Sequence, residues 1–212
     1  MQVVLKYYHL TKVDEKWRIL MIIRPSFYNE RGGEDIFTRL LTDRVILVFD
    51  QVTDDLAQSI IAQLLYLESV DDTADIQMYI CSPGGSVSAG LGIYDTMRHI
   101  RCDVSTICVG MTASMGAFLL AGGTKGKRFC LENSQVMIHQ PLGGASGQVT
   151  DMAIEVQHGQ RIKARLNEIM AKNTGHTPEE IARDTDRNNW MFPEEALEYG
   201  LIDHIIYEDG VR

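Results

Sequence analysis

The chain has 212 residues and a formal charge of -9, from 20 Lys and Arg against 29 Asp and Glu. With 45% hydrophobic and 23% charged residues it can fill an α/β core, and it has neither the composition of a disordered chain nor that of a fibrous one. The acidic excess, with no basic cluster longer than Lys125-Gly126-Lys127-Arg128, gives a nucleic-acid backbone nothing to hold.

Cys81, Cys102, Cys108 and Cys130 form no CxxC pair and lie in or beside apolar runs, which reads as reduced core thiols without disulfides or zinc. No apolar run reaches the roughly 18 residues of a membrane span. The first ten residues, with Lys6 and His9, lack the signal-peptide pattern, so a cytoplasmic protein away from membranes is expected.

Residues 1 to about 35 show no period and contain Pro25, Asn29, Gly32 and Gly33, which predicts a mobile or partner-ordered arm or an ordinary frayed terminus. From Asp35, the helical spacing of Ile36, Leu40 and Leu41 leads into the buried-strand pattern of 44–50. Thr53 is placed to cap a helix over 54–70, with Leu56, Ile60, Ile61, Leu64, Leu65 and Leu67 on one broad stripe. A strand at 76–81, a helix at 86–100, a strand at 104–109, a helix at 114–121 and strands at 127–131 and 135–139 follow. Strands alternating with helices imply parallel crossovers and a sheet covered on both faces.

After Gly143-Gly144-Ala145-Ser146-Gly147, a helical pattern runs from about Val149 to Asn173. At 1.5 Å per residue it is a rod of about 37 Å, predicted to project and pair through Val149, Met152, Val156, Ile162, Leu166, Ile169 and Met170, although a long core helix would show the same pattern. A helix at 193–199, a stop at Gly200 and a strand near 201–207 complete the chain.

Three features point to acyl transfer. In Gly110-Met-Thr-Ala-Ser114-Met-Gly116 a strand ends in a turn and a helix begins, a joint that exposes a nucleophile at the positive end of a helix dipole; Ser114 can equally be a helix cap. Ser134-Gln-Val-Met-Ile-His139-Gln-Pro141 ends a strand in histidine, a residue type that exchanges protons near neutral pH, though a lone one is more often structural. Ser82-Pro-Gly84-Gly85-Ser86 can turn backbone N–H groups toward an oxyanion, cradle a phosphate or simply reverse the chain.

Taken together and in order, Ser82-Pro-Gly-Gly-Ser86, Gly110-Met-Thr-Ala-Ser-Met-Gly-Ala-Phe-Leu-Leu120, Gly126-Lys-Arg-Phe-Cys130 and Val136-Met-Ile-His-Gln-Pro-Leu-Gly-Gly144 resemble the signature blocks of the Clp protease proteolytic subunit, a serine peptidase family. The resemblance runs from about Asp35 to Tyr207. It implies the ClpP/crotonase α/β fold of repeated βαβ units in one peptidase domain over 36–212, preceded by an axial arm. It also implies two stacked heptameric rings joined by the long helix as a handle, enclosing a chamber for polypeptide substrates, with an AAA+ unfoldase docked outside. Ser114 becomes the nucleophile, His139 the general base, and the N–H groups of Gly85 and Met115 the oxyanion donors.

The family's third residue, an aspartate, falls by its spacing from His139 on Asn188. Asparagine can orient the imidazole but supplies no negative charge when imidazolium forms. Asp184 and Asp186 are the nearest acids, and both read better as surface charge. At the family's unfoldase clefts the chain keeps Tyr79 and Phe129 but carries polar Gln77 and His99, and its arm is longer than the family's usual one. A serine endopeptidase subunit of low intrinsic rate, with Asn188 as a neutral orienting partner, is therefore weighed against a scaffolding subunit in mixed rings with an aspartate-bearing paralogue. Acyl-CoA chemistry on the same fold leaves Ser114 and His139 together unexplained. No residue cluster calls for a metal or organic cofactor.

Overall fold

A strand pair opens the described part of the chain, where the sequence predicts an arm without regular structure. In the computed structural model, which describes residues 26–29, 32–208 and 210–211, β1 (Ser26–Asn29) runs antiparallel to β2 (Gly32–Asp35), with Ser26 opposite Asp35 and Asn29 opposite Gly32. Strands this short hold too few alternations to register as a period. The remainder of the expected arm, 1–25 and 30–31, lies outside the described residues. Asp35 then caps α1 (Ile36–Thr42), its carboxylate accepting the Phe37 N–H at 2.8 Å and the Thr38 N–H at 3.2 Å.

The described residues divide between Val45 and Ile46 into two units. The larger contains, after β3 (Val45–Val48), α2 (Asp54–Val70), β4 (Ile76–Ser82), α3 (Val87–His99), β5 (Val104–Ala113), α4 (Met115–Ala121), β6 (Arg128–Leu131) and β7 (Gln135–Ile138). The long α5 (Val149–Thr174) follows, then α6 (Pro178–Asp184), β8 (Asn189–Met191), α7 (Pro193–Glu198), β9 (His204–Tyr207) and β10 (Gly210–Val211). The sheet order is β10-β9-β6-β5-β4-β3, with β7 on β5 and β8 on β7. The pairs β4–β5, β5–β6, β5–β7 and β6–β9 are parallel, whereas β7–β8 and β9–β10 are antiparallel. This is the mixed, mostly parallel α/β architecture that the alternation implies.

One departure builds the site. The sequence predicts the central strand only over 104–109, but β5 continues to Ala113 through Gly110 at φ 69°. Its first half pairs with β6, Thr106 opposite Arg128, and its second half with β7, Ala113 opposite Met137. One strand thus serves two neighbours in succession. All seven residues of α4 are buried, which is why this helix is apolar around its whole circumference.

Helix α5 is exposed along most of its first half, with Val149 79% and Val156 55% accessible, and buries Leu166, Met170 and Ala171 near its end. No helix is predicted where α6 lies, although Thr177-Pro178-Glu179-Glu180 spells a capping box: Thr177 Oγ1 accepts the Glu180 N–H and Glu180 accepts the Thr177 N–H. The last strand covers only 204–207 of the predicted 201–207. Gly200, at φ 79°, turns the chain where a Cβ would strike the Thr174 carbonyl.

Arg128, 3% exposed, donates from Nη2 to Asp203 Oδ1 at 2.6 Å and from Nε to Asp203 Oδ2 at 2.8 Å. Its Nη1 donates to the Asn173 carbonyl at 2.9 Å. Burial by itself raises the Asp203 pKa, but the guanidinium and the N–H groups of Gly126 and Arg128 outweigh it and hold the carboxyl below its usual range. A depressed carboxyl stabilises the fold above its unfolded pKa, and the contribution is lost as pH falls through the folded value. Asp203→Ala strands the guanidinium and is expected to cost about 3 kcal/mol. Denaturant unfolding at fixed protein concentration reads this as a lower midpoint; a loss below about 1 kcal/mol would mean that Arg128 finds other partners.

Candidate active site

Register alone brings three side chains together. Since Ala113 on β5 lies opposite Met137 on the parallel β7, the chain leaves both strands at one edge, with Ser114 on one and His139 just past the other. The Ser114 N–H donates to the Met137 carbonyl at 2.8 Å and fastens this edge. Across β7, antiparallel β8 sets Asn189 opposite Ile138, so the preceding residue, Asn188, faces His139. Ser114 Oγ is 2.9 Å from His139 Nε2, and Asn188 Oδ1 is 2.9 Å from His139 Nδ1.

Ser114 does not act as the helix cap that its position allows. Its side chain makes no capping hydrogen bond, and its backbone is held at φ 56° and ψ -120°, an uncommon region for a residue with a side chain. The sharp turn aims Oγ away from the helix and toward the imidazole. Small neighbours make room: a Cβ on Gly84 would lie 2.6 Å from Ser114 Cβ, and one on Gly116 2.9 Å from the Ser82 carbonyl.

Gly85, at φ 152°, continues the same loop, which is pinned by the Val52 N–H donating to the Gly84 carbonyl and the Ser86 N–H donating to the Val52 carbonyl, at 2.8 and 2.7 Å. The N–H of Met115, first residue of α4, has no intrahelical acceptor. A Cβ on Gly84 would come within 2.9 Å of that nitrogen, so the loop and the helix start abut. The neighbouring cleft, about 460 Å³ with its open mouth, is walled by Met115, Phe118, Leu166, Met170 and Ile181 and contains both Ser114 and His139.

With Asn188 Oδ1 accepting, the imidazole carries its proton on Nδ1 and presents Nε2 to accept the Ser114 hydroxyl proton. This arrangement can activate a hydroxyl for attack on an acyl group. Neither acid considered as a replacement reaches the imidazole. Asp184 accepts from the Tyr199 hydroxyl at 3.1 Å and pairs with Arg183, so it has a structural partner beyond the surface role expected of it. Burial first, and then the Asp184 charge, push the Tyr199 phenol up, which keeps it a donor. Asp186 pairs with Arg187 on the surface.

Gln140 is a site residue the sequence reading missed. Its backbone N–H donates to the Thr185 carbonyl at 2.6 Å and its Nε2 to the Asp186 carbonyl at 2.8 Å, while Lys163 Nζ on α5 donates to its Oε1 at 2.8 Å. It thereby clamps the segment leading to Asn188 from the position next to His139. Adjacency to His139 was the available signal.

Tyr79 and Phe129 lie apart from these groups. Tyr79 is opposite Ile107, which is opposite Phe129, forming one row across β4, β5 and β6. Phe129 stacks on His204 with ring centroids 5.3 Å apart, and Tyr79 donates to Gln77 Oε1 at 3.4 Å. Ile107 precedes Ser114 by seven residues, or about 23 Å of extended chain. His99 is exposed in the last turn of α3.

The model of the Clp protease family matches residues 29–209, a span that includes every residue of this site and most of the sheet. The strained serine, the strand-end histidine and the glycine loop thus sit within a domain of known kind: the chain belongs to the Clp protease family of peptidases.

Proposed function

We propose that the chain is the proteolytic subunit of an ATP-dependent Clp protease, a serine endopeptidase cleaving unfolded polypeptides in a chamber of two heptameric rings fed by an AAA+ unfoldase. The observation that carries this reading is the 2.9 Å contact between Ser114 Oγ and His139 Nε2, on a serine whose hydroxyl is not spent on capping. Ser114 Oγ attacks the peptide carbonyl carbon as its proton passes to Nε2. The carbonyl electron pair moves to oxygen, where the N–H groups of Gly85 and Met115 stabilise it. Collapse expels the amine, which takes the proton from Nε2, and water repeats the sequence on the acyl-enzyme.

Family members form oligomeric rings with AAA+ unfoldases, and in this chain the exposed first half of α5 suits a handle between rings, in line with a peptidase domain beginning near residue 36. The Tyr79–Phe129 row suits an apolar docking segment, with Gln77 weakening the seat. The experiment is labelling with a fluorophosphonate: Ser114 is expected to take the label in assembled wild-type protein, and Ser114→Ala to take none. Complete absence of label, alone and mixed with a paralogue, would sink the assignment. Asn188 favours one second reading, a scaffolding subunit that contributes little chemistry to a mixed ring, because a neutral partner leaves the developing imidazolium without a counter-charge.

A further inference from the structure

A hydrogen bond closes the loop on which Asn188 rides. From Asp184 at the end of α6 the chain passes through Asn188, β8 and α7 to Tyr199, whose hydroxyl donates back to Asp184 Oδ2 at 3.1 Å across fifteen positions. Arg183 also pairs with this carboxylate at 2.9 Å, but its side chain is 70% exposed and lies on the same helix. Water screens that pair, and it joins only two residues of α6. Gln140 grips the segment from the histidine side, at the Thr185 and Asp186 carbonyls. The phenol is the tether from the other side, and it is held in turn. Its ring stacks on His176 with centroids 4.2 Å apart and planes at 15°, and the Tyr199 N–H donates to the Glu195 carbonyl at 2.9 Å. Thr185, buried and donating from Oγ1 to the Ile181 carbonyl at 2.6 Å, moves with α6. Past Asn188, Asn189 is fixed opposite Ile138 on β7. The orientation of the Asn188 carboxamide therefore depends on the chain that enters it from α6.

We propose that Tyr199 is a positioning residue for the peptidase reaction: by fixing the Asp184 end of α6, its hydroxyl keeps the Asn188 carbonyl on His139 Nδ1. The imidazole then carries its proton on Nδ1 and leaves Nε2 to accept from Ser114. A neutral partner makes this tether matter more. A carboxylate offers the imidazole two equivalent acceptors, whereas a carboxamide offers one and presents a donor when it turns over. Small displacements of the backbone at Asn188 are therefore felt in the tautomer of His139. The inference rests on the reading of Ser114, His139 and Asn188 as the reacting set.

Tyr199→Phe removes the hydroxyl and leaves the ring on His176. The test measures kcat and KM for a short fluorogenic peptide in assembled wild type, Tyr199→Phe, Asn188→Ala and the double variant. Tyr199→Phe is expected to lower kcat about tenfold with KM within twofold, and to cost less than twofold when added to Asn188→Ala, because the residue through which it acts is then gone. Asp184→Asn, which keeps an acceptor oxygen for the phenol, is expected to hold kcat within twofold, and Asp184→Ala to lose what Tyr199→Phe loses. This second pair tests the same bond should Tyr199→Phe fail to assemble. A loss below twofold in Tyr199→Phe, a loss of equal size in both backgrounds, or equal rates for the two Asp184 variants would overturn the inference. Any of these, in protein whose Ser114 still takes a fluorophosphonate, leaves the peptidase reading standing. Failure of wild-type Ser114 to label would overturn both.

Discussion

Asn188→Asp is expected to raise peptide hydrolysis by the homomeric assembly between about a hundredfold and ten-thousandfold, the upper figure being the loss seen when a serine protease undergoes the reverse exchange. Two effects contribute. When Ser114 transfers its proton, His139 becomes a cation 2.9 Å from a neutral oxygen, and a carboxylate there would stabilise it. The second effect is tautomeric. An asparagine amide can turn over and present Nδ2–H to the imidazole, which selects the form protonated on Nε2 and unable to accept from Ser114. Aspartate has no donor when ionised, so the useful tautomer is the one it holds. Because Asn188 is exposed, solvent screens part of the charge, which places the lower bound well under the full figure. Single-turnover acylation by a chromogenic ester, compared between wild type and Asn188→Asp, isolates the step. A gain under threefold would locate the limitation in assembly or another residue and would favour the scaffolding reading.

Gly85→Ala is expected to lower kcat by a hundredfold or more, the cost of losing one oxyanion donor. At φ 152° an added Cβ falls on the Val52 carbonyl oxygen and within 2.8 Å of the Val52 nitrogen. The loop cannot yield without breaking the bonds that tie Gly84 and Ser86 to Val52. The Gly85 N–H would therefore turn away from the direction that the proposed oxyanion role requires. Steady-state kinetics with a short peptide, together with a native mass measurement to confirm the assembly, separate this effect from misfolding. Activity within threefold of wild type would show that the Gly85 N–H does not serve the oxyanion.

Much of this site was legible before coordinates, for local reasons. Ser114 and His139 each stand where a strand stops, and the segments around them carry their own turn chemistry. The spacing from His139 pointed to Asn188, whose Oδ1 lies 2.9 Å from His139 Nδ1. What was not legible depends on contacts remote in sequence. The predicted strand stops at 109, yet β5 runs on through Gly110 because β7 supplies a new neighbour on the far side. Asp184 reads as surface charge because its partner, Tyr199, is fifteen positions away. Lys163 disappears into the polar background of a long helix; only its contact with Gln140 distinguishes it. In α6 the failure was different, because the Thr177 capping box was present in the sequence and went unread.

The clamp at Gln140 has a mechanical consequence. One residue is bonded to His139 along the chain, to the Asp186 carbonyl two residues before Asn188 and to Lys163 on the long helix, so it ties both partners of the imidazole contact to that helix. Displacing that helix at Lys163 would pull on the Gln140 carboxamide and, through it, on the turn that carries Asn188 and on the residue after His139, so the seating of the helix and the alignment of the proton acceptor are mechanically linked.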